Sequence, residues 1–416
     1  MKIAIIDHIG NPGGGSRMLH SLLPALKRLN PDFRITFFGN PIQLTRENLF
    51  EEFKDVGIEV VSLKSLKLKN LGLFKSHTVG RIIHEIQERY FKKSQFLPFW
   101  LSGDVSTEIC VRIKDYDLAY FPWPFLLDFP KINCPSVGTF HDFNYKYYFS
   151  GSLTFNKKQQ EQLEREMPIW LKHCVPVVSS NFIECELIKF YPNVSTKPVV
   201  VRLPALGGNS RMDDASAQSS IRELGITGDY LLCPTNMTSH KNLGPLIVAI
   251  EHLRSKGKKI KLILTGPGTE RIRGQAQTFG LLKTDEDPDV FGLGYVSNVQ
   301  INSLIQCAKV VINSSLYEAG NGSGVDAWGL GTPVAMSNIP AFVEHVETLG
   351  VRAEIFNPHC PEDIAEKIAT ILDNPLIARK MIDESRSAML SAAWEHTAIE
   401  YMNVFRRVIT ESDFRK

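Results

Sequence analysis

The stretch Glu318-Ala319-Gly320-Asn321-Gly322-Ser323-Gly324-Val325-Asp326 decides the fold of this chain. Three glycines lie between two carboxylates that are eight positions apart, after the apolar run Val310–Ile312 and before a segment that predicts a helix. This order predicts a strand, a loop and a helix N-terminus. Glycine leaves backbone N–H groups open to a ligand, so the loop is suited to bind a phosphate or another anion. The flanking carboxylates are suited to accept hydrogen bonds from sugar hydroxyls.

Composition indicates a globular protein with two domains. The chain has 416 residues, of which 43% are apolar and 22% charged, which is ordinary for a globular protein and too long for one core. Residues 1–205 carry 26 Lys and Arg against 20 Asp and Glu, whereas residues 206–416 carry 21 against 25. The modest basic excess of the first half fits an anionic partner or membrane surface.

The compartment expected from the sequence is the cytoplasm. The seven cysteines show no C-x-x-C spacing, which argues against a disulfide framework and a zinc site. The N-terminal residues predict a buried strand instead of a signal peptide, and no apolar run is long enough for a membrane-spanning helix.

Short β-branched runs alternate with segments of helical apolar spacing, which predicts parallel βαβ units and doubly wound sheets. A linker rich in Gly, Ser and Asp at 207–216 separates two series of runs. We therefore expect a Rossmann-like domain at 1–205, a second at 206–395, and a C-terminal helix at 396–416 that packs back on the first. The predicted strands are Ile3–Ile6, Ile35–Phe38, Ile58–Val61, Leu118–Phe121, Ser136–Phe140, Val175–Val178 and Val199–Val201, then Tyr230–Cys233, Ile260–Leu264, Val290–Phe291, Val310–Ile312, Pro333–Ala335 and Glu354–Phe356.

The acidic pair and its glycine loop resemble the E-x7-E signature of retaining GT-B glycosyltransferases of the family-4 type, also called glycosyl transferases group 1. Asp326 stands where the second glutamate is usual. The resemblance implies an α/β GT-B fold, in which two Rossmann-like doubly wound domains face a central cleft. It also implies a retaining hexosyltransferase that moves a sugar from a nucleotide-diphosphate sugar to a glycan or lipid-linked glycan acceptor in polysaccharide assembly.

The resemblance implies roles for the residues of the acidic stretch. Glu318 is expected to hold hydroxyls of the donor sugar, and Asp326 those of the ribose. The backbone of Gly320, Asn321 and Gly322 is expected to face the diphosphate. Because aspartate is one methylene shorter than glutamate, the ribose contact is expected to be altered or water-mediated.

The segment from Asn236 to Asn242 resembles the family segment in which an Arg and, five positions later, a Lys grip the donor diphosphate. Here Asn236 occupies the Arg position and Lys241 the Lys position. The grip is then expected to rest on Lys241, loop N–H groups and His240. A lysine binds phosphate as a point charge without the bidentate fork of arginine.

Three further segments match the family in type and order. Gly294 and Tyr295 follow a predicted strand where the nucleotide base is usually held. Gly14 and Gly15 belong to the loop after the first strand, which lies near the donor phosphates and the acceptor in the family. His141, in a His-Asp pair after the fifth strand, is expected to line the pocket of the transferred sugar.

Neither a metal nor a further cofactor is expected besides the nucleotide-sugar donor, which analogy identifies as GDP-mannose or a UDP-sugar. Two D-x-D strings, Asp115–Asp117 and Asp287–Asp289, precede predicted strands and therefore lie away from the ligand edge of the sheets. The basic, leucine-rich segment 64–93 is a candidate for peripheral contact with the inner face of the cell membrane. A nucleic-acid partner is not expected.

Two other classes of function stay open. A sugar-nucleotide epimerase of the same fold would share the phosphate site but release an isomer without an acceptor. A non-catalytic scaffold or partner protein is the other alternative, because Asn236 and Asp326 both depart from the family pattern.

Overall fold

The computed structural model describes residues 1–8, 14–40, 44, 49–63, 99–149, 152–153, 157–204, 211–272, 290–320, 322–390 and 394–413. These residues form two compact units. Unit 1 comprises Met1–His141, Phe155–Leu203 and Trp394–Lys416. Unit 2 comprises Asp142–Thr154 and Pro204–Ala393. Residues 142–154, which the sequence assigns to the first domain, thus cluster with unit 2.

Unit 1 contains a parallel sheet of seven strands in the order β3-β2-β1-β4-β5-β8-β9. Each strand rests on an apolar run, and five of the seven have at most one residue that is not buried, as expected where helices cover both faces of a sheet. The strands are β1 Lys2–Asp7, β2 Arg34–Gly39, β3 Glu59–Ser62, β4 Leu118–Phe121, β5 Ser136–Thr139, β8 Val175–Val178 and β9 Val199–Val200.

Unit 2 contains a parallel sheet of six strands in the order β12-β11-β10-β13-β14-β15, and a small antiparallel hairpin. The hairpin pairs β6 Tyr148–Phe149 with β7 Ser152–Leu153. The strands of the sheet are β10 Tyr230–Pro234, β11 Lys261–Thr265, β12 Val290–Gly292, β13 Val310–Asn313, β14 Val334–Ser337 and β15 Glu354–Phe356. Two sheets with this order confirm the predicted α/β class and the doubly wound topology.

Helices connect the strands of both sheets. Those of unit 1 are α1 Gly14–Leu29, α2 Leu49–Asp55, α3 Phe99–Arg112, α4 Lys157–His173, α5 Asn181–Phe190 and α13 Trp394–Asp413. Those of unit 2 are α6 Asp214–Glu223, α7 Leu243–Ser255, α8 Asn298–Cys307, α9 Gly322–Leu330, α10 Pro340–Leu349, α11 Pro361–Asp373 and α12 Pro375–Leu390. None of the helices in the described ranges combines the length and the apolar character needed to cross a membrane.

The sheet of unit 2 has an apolar core on each face. Along β10, Leu231 and Cys233 point into one core, whereas Tyr230 and Leu232 point into the other. This alternation follows from the two-residue period of a strand. Helices α7 and α11 cover the first face, and α6, α8, α9 and α10 cover the second.

The C-terminal helix α13 belongs to unit 1 and packs against α1. The hydroxyl of Tyr401 on this helix lies 3.0 Å from Thr139 Oγ1 on β5. Thr139 Oγ1 also lies 2.8 Å from the hydroxyl of Tyr120 on β4. At the start of the helix, Glu395 forms an ion pair with Arg28 at 2.7 Å. The last helix is therefore joined by hydrogen bonds to two central strands of the unit 1 sheet.

Gly266 allows the carboxyl ends of β10 and β11 to approach each other closely. Its φ is +126°, and a Cβ atom at this position would lie 1.8 Å from the carbonyl oxygen of Thr235. The Gly266 N–H also donates to the carbonyl of Gly294 at 2.7 Å, which ties the end of β12 to the same point. This glycine is required both by its backbone conformation and by the lack of space.

We expect Gly266→Ala to lower the free energy of unfolding by more than about 3 kcal/mol, because a displaced strand end adds to the strain of a positive φ. Gly225 is a matched control, since its φ is +75° and nothing lies within 4 Å of its Cβ position. Gly225→Ala should cost only about 1–2 kcal/mol. Urea unfolding followed by circular dichroism measures both, and equal losses would contradict the role of close approach.

Candidate functional site

The strand order of unit 2 reverses between β10 and β13, which are neighbours in the sheet although they are distant in sequence. Ligands of open parallel sheets bind outside the carboxyl ends of the strands at such a reversal. The segment after β10 contains Lys241, and the segment after β13 contains Glu318. The topology therefore brings together two residues that the sequence places 77 positions apart.

Lys241 and Glu318 form an ion pair in which the ammonium donates to the carboxylate, and their side chains are 18% and 17% exposed. The same carboxylate oxygen of Glu318 accepts a hydrogen bond from Ser315 Oγ at 2.6 Å. Ser314 Oγ donates to the carbonyl of Lys241 at 3.0 Å. Two serines of the loop after β13 thus hold the two charged residues in position.

Asp142 is a third carboxyl group at this site. Burial and the charge of Glu318 raise the pKa of Asp142 to about 6, against the opposing effects of the Asn144 N–H and the Lys241 charge. The backbone next to it is fixed, because the N–H of Phe143 donates to the Tyr317 hydroxyl at 3.0 Å. In the sequence, Asp142 is recognisable only as the residue after His141 in a His-Asp pair. Its electrostatic interaction with Glu318 and Lys241 depends on tertiary structure.

His240 is buried beside the ion pair. Burial, together with the charge of Lys241, lowers the pKa of His240 to about 4, although the charge of Glu318 acts in the opposite sense. The carbonyl of His240 accepts a hydrogen bond from the N–H of Leu316 at 2.7 Å, which joins the loops after β10 and β13. His240 is therefore neutral at pH 7 and does not add a second positive charge to the site.

Asn236 shapes the loop that leads to Lys241. Its Oδ1 accepts hydrogen bonds from the N–H of Thr238 at 3.0 Å and from the Thr238 hydroxyl. A side-chain oxygen bonded to the backbone two residues later forms an Asx turn. At the position where the family has a cation, this chain therefore has a residue that folds the loop.

The glycine stretch leads into helix α9, which begins at Gly322, so Glu318 precedes the helix. Gly320 lies close to His345, whose ring would be 3.1 Å from a Cβ atom at that position. Asp326 is only 4% exposed and lies in the second turn of α9. Asn321, which the sequence predicts to face the diphosphate, lies outside the described residues.

Gly294 and Tyr295 follow β12, at one edge of the sheet. The φ of Gly294 is +71°, and its N–H donates to Thr269 Oγ1 at 3.0 Å. Tyr295 is 64% exposed, so its ring presents a flat surface beyond the strand end. A fixed backbone turn next to an exposed aromatic ring is suited to hold a planar base.

In unit 1, His141 lies after β5 and is almost completely buried. Its Nε2 lies 2.8 Å from the carbonyl oxygen of Pro122, and its ring stacks on Trp123 at 4.8 Å between ring centres. Burial lowers the pKa of His141 to about 4, so the imidazole is neutral at pH 7. Gly14 and Gly15 are the first two residues of α1.

Among the buried side-chain polar atoms of unit 1 that have no hydrogen-bond partner within the described part of the chain, three lie just after strands of the sheet. They are His8 Nδ1, Trp123 Nε1 and Ser179 Oγ. These residues follow β1, β4 and β8, which with β5 form four neighbouring strands of the sheet. Buried polar groups are normally paired, so atoms of this kind indicate a place for water or ligand. The sequence analysis missed all three, and their position just after a strand was the only available signal.

The structure does not describe a metal site. In the described residues, no group of three or more His, Cys, Asp or Glu side chains is arranged to hold a metal ion. Asp115–Asp117 directly precedes β4, at the amino end of the unit 1 sheet. The string Asp287–Asp289 and the basic segment 64–93 lie outside the described residues.

Residues 218–388 match the family model described as glycosyl transferases group 1. The match covers less than half of the chain and lies within unit 2. An uncharacterised glycosyltransferase of Methanocaldococcus jannaschii is 23% identical over 188 residues, which are 44% of this chain and 47% of that protein. The chain thus spans about half of the length of this curated relative. The predicted resemblance to group 1 glycosyltransferases is confirmed.

Solved structures support the same fold over almost the whole chain. Sucrose-phosphate synthase of Thermosynechococcus elongatus has a TM-score of 0.71 at 15% identity, covering 99% of this chain and 100% of its own. Anabaena HepE in complex with UDP and glucose has a TM-score of 0.69 at 15% identity, covering 98% and 100%. WaaG, a glycosyltransferase involved in lipopolysaccharide biosynthesis, has a TM-score of 0.67 at 12% identity, covering 97% and 99%. With the two parallel sheets, these similarities confirm the GT-B fold class.

Within unit 2, Asp142 gives a prediction about pH. Because the pKa of Asp142 is raised from 3.8 to about 6 in the folded state, the folded state binds more protons than the unfolded state between these values. The contribution of Asp142 to stability therefore falls as the pH rises from about 4 to about 6, and the full penalty remains above pH 6. Asp142→Asn should remove this penalty while its amide oxygen still accepts from Asn144.

We expect Asp142→Asn to raise the free energy of unfolding at pH 8 by about 1–3 kcal/mol and to have little effect near pH 4. Thermal unfolding at both pH values measures this difference. Asp32→Asn, at an exposed position, serves as the control and should change neither value. A gain in stability that is the same at both pH values would show that the charge of Asp142 is not its cause.

Proposed function

We propose that the protein is a retaining glycosyltransferase that moves a sugar from a nucleotide-diphosphate sugar to a glycan or lipid-linked glycan acceptor in polysaccharide assembly. The observation that carries the proposal is the Lys241–Glu318 pair at the strand reversal of a group 1 glycosyltransferase domain. A sugar diphosphate has an anionic part and a part rich in hydroxyl groups. The ammonium of Lys241 is suited to the diphosphate, and the carboxylate of Glu318 is suited to the sugar hydroxyls.

Lys241 is suited to stabilise the leaving diphosphate. Negative charge increases on the diphosphate as the bond to the sugar breaks, so a fixed ammonium binds the transition state more strongly than the ground state. The ammonium donates to Glu318 and Ser314 donates to the backbone carbonyl of Lys241, so little reorganisation is needed during the reaction. The N–H groups at the start of α9 would add to this effect.

Glu318 is suited to orient the transferred sugar. One of its oxygens accepts from Lys241 and Ser315, which leaves the other carboxylate oxygen to accept from sugar hydroxyls. In this role the carboxylate selects and positions the sugar, and it need not attack the anomeric carbon. The family resemblance implies that Asp326 would then accept hydrogen bonds from the ribose hydroxyls.

The charge of the donor site sets its expected affinity. Lys241 is the cation that contacts Glu318, His240 is neutral, and Asn236 occupies the position of the family's arginine. The diphosphate therefore meets one full positive charge where two are usual. We infer that the site binds its donor mainly through Lys241 and backbone N–H groups, with an affinity that depends strongly on Lys241.

Two structural relatives support the choice of substrates. HepE was solved with UDP, with UDP-glucose, and with UDP and glucose, and WaaG takes part in lipopolysaccharide biosynthesis. We therefore place a UDP-sugar before GDP-mannose as the donor. In unit 1, the neutral His141 stacked on Trp123 is suited to line the pocket of the uncharged sugar.

The first test is binding of the donor. We expect UDP or GDP, and the matching nucleotide-sugar, to raise the melting temperature of the full chain, since these ligands bind only the folded state. Lys241→Ala should weaken this binding at least about tenfold, because it removes a charge-assisted hydrogen bond. Lys309→Ala is a matched control, since Lys309 lies at the opposite end of β13 and pairs with Asp229.

The outcomes separate the three classes of function. A nucleotide-sugar that is consumed only when a glycan acceptor is added supports the transferase, and the anomeric configuration of the product by NMR tests retention. Isomerisation of the nucleotide-sugar without acceptor would identify an epimerase. Binding without turnover would identify a scaffold, and loss of binding in Lys309→Ala but not in Lys241→Ala would refute the proposed donor site.

We further propose a cytoplasmic location with peripheral membrane contact through segment 64–93, which lies outside the described residues. The segment combines eight lysines and arginines with leucine, isoleucine and phenylalanine. Such a composition favours binding to anionic lipid. Co-sedimentation with vesicles containing phosphatidylglycerol should exceed that with phosphatidylcholine vesicles and should fall at high salt, and equal binding to both would contradict the proposal.

A further inference from the structure

A cavity of unit 2 is lined by residues other than those assigned to the donor. It has a volume of about 570 Å³, which is within the usual range of about 300–1,000 Å³ for small-molecule sites. It opens at the carboxyl ends of β13, β14 and β15. Its lining residues are Leu316, Asn338, Ile339, Asn357, Pro358 and His359, which we call the β14–β15 pocket.

The backbone of the β14–β15 pocket is fixed by hydrogen bonds. The N–H of Asn338 donates to the carbonyl of Phe356 at 2.7 Å, which joins the ends of β14 and β15. Asn357 Oδ1 accepts from the N–H of His359 at 3.0 Å. The N–H of Asn357 in turn donates to Asp363 Oδ2 at 2.6 Å. A pocket with walls of this kind is formed before a ligand arrives.

The lining combines an apolar floor with a polar rim of amide and imidazole side chains. Ile339 and Pro358 are buried and Leu316 is half-buried, whereas the side chains of Asn338 and His359 are exposed. No Lys, Arg, Asp or Glu side chain lines the pocket within the described part of the chain. Amide and imidazole groups pair with hydroxyls, and apolar side chains cover C–H groups, so this lining suits a saccharide more than a phosphate or a carboxylate.

The pocket adjoins the donor site. Leu316 belongs to the same loop as Glu318, and its N–H donates to the carbonyl of His240 at 2.7 Å. Asn242, which directly follows Lys241, donates from Nδ2 to the carbonyl of Pro358 at 2.7 Å. The loop of Glu318 therefore also forms one side of the pocket, and the loop of Lys241 is hydrogen-bonded to Pro358 in the pocket wall.

The order of the strands gives the pocket a position along the donor. The segment proposed for the base follows β12 at one edge of the sheet, and Glu318 follows β13. The pocket lies at β14 and β15, on the far side of Glu318 from the base. With strands about 4.8 Å apart, its centre lies roughly 5–10 Å beyond the end of β13. The pocket therefore lies beyond the position of a sugar that Glu318 holds.

We propose that the β14–β15 pocket binds a neutral sugar residue of the glycan acceptor. This inference rests on the proposed transferase function, since only a transferase has an acceptor. The pocket gives unit 2 its own part in acceptor recognition. Asn338 and His359 donate or accept hydrogen bonds with sugar hydroxyls, and Leu316 and Ile339 lie against the C–H face of the ring.

The test uses the full chain and simple saccharides as probes. Saturation-transfer-difference NMR is recorded with maltose, cellobiose and methyl α-D-mannopyranoside at millimolar concentration. We expect transfer to ring protons of at least one saccharide. Asn338→Trp, which fills the pocket, and His359→Ala should each reduce this transfer at least about fivefold, because each removes a hydrogen bond worth about 1 kcal/mol or more.

Two controls make the result specific. Asn374→Trp introduces the same side chain at an exposed asparagine of the same unit, so it should keep the wild-type signal. Glu318→Gln alters the donor site and should also keep the signal. Circular dichroism melting shows whether Asn338→Trp is folded, and His359→Ala repeats the test at an exposed position.

The outcomes distinguish the pocket from the proposed function. Absence of transfer from every saccharide, or wild-type transfer in both pocket variants, would overturn the pocket while leaving nucleotide binding intact. Loss of transfer in Glu318→Gln would place the saccharide in the donor site and also overturn it. Pocket-dependent transfer without any nucleotide binding would show that the pocket binds a saccharide, but it would refute the transferase and with it the acceptor role of the pocket.

Discussion

The reversal of strand order between β10 and β13 is the constraint on which the site depends. Parallel strands must be joined by crossovers, and a sheet that grows from its centre in both directions leaves a gap between the first two crossovers. In unit 2 the loops with Lys241 and Glu318 meet at that gap. The contact between them is thus a consequence of topology, and the serines after β13 hold its geometry in place.

The carboxyl ends of β10, β11 and β12 also approach each other closely, and this approach fixes the loops at the other end of the same sheet edge. Gly266 lies against the carbonyl of Thr235, and Gly292 lies where a Cβ atom would be 1.7 Å from the carbonyl of Thr269. These contacts pull the loops after β10, β11 and β12 together. Gly294, with its positive φ, then turns the chain so that Tyr295 is exposed. The glycines that punctuate the strand ends therefore shape the part of the edge proposed for the base.

The fold was predictable from the sequence because it depends on local patterns. Apolar β-branched runs at regular intervals indicated thirteen strands, and all thirteen appear in the two sheets within one or two residues of the predicted bounds. Only family resemblance predicted that Lys241 and Glu318 belong to one site, and their ion pair was not predicted, since 77 residues separate them. The raised pKa of Asp142 and the Asx turn of Asn236 could not be predicted, because both depend on neighbours that tertiary structure supplies. The same holds for the β14–β15 pocket, whose walls come from three separate loops.

The charges around Lys241 also restrict which anions the site would accept. Above pH 6, Asp142 is negative and lies near the Lys241–Glu318 ion pair, while His240 is neutral. A free phosphate brings negative charge to two carboxylates and gains only one cation and the loop N–H groups. A nucleotide-sugar also brings hydroxyls, which donate to the carboxylates and turn them from repelling groups into hydrogen-bond acceptors. The arrangement therefore favours a ligand that has an anion and a polyol joined in one molecule, which is the reason to expect discrimination between a sugar nucleotide and inorganic phosphate.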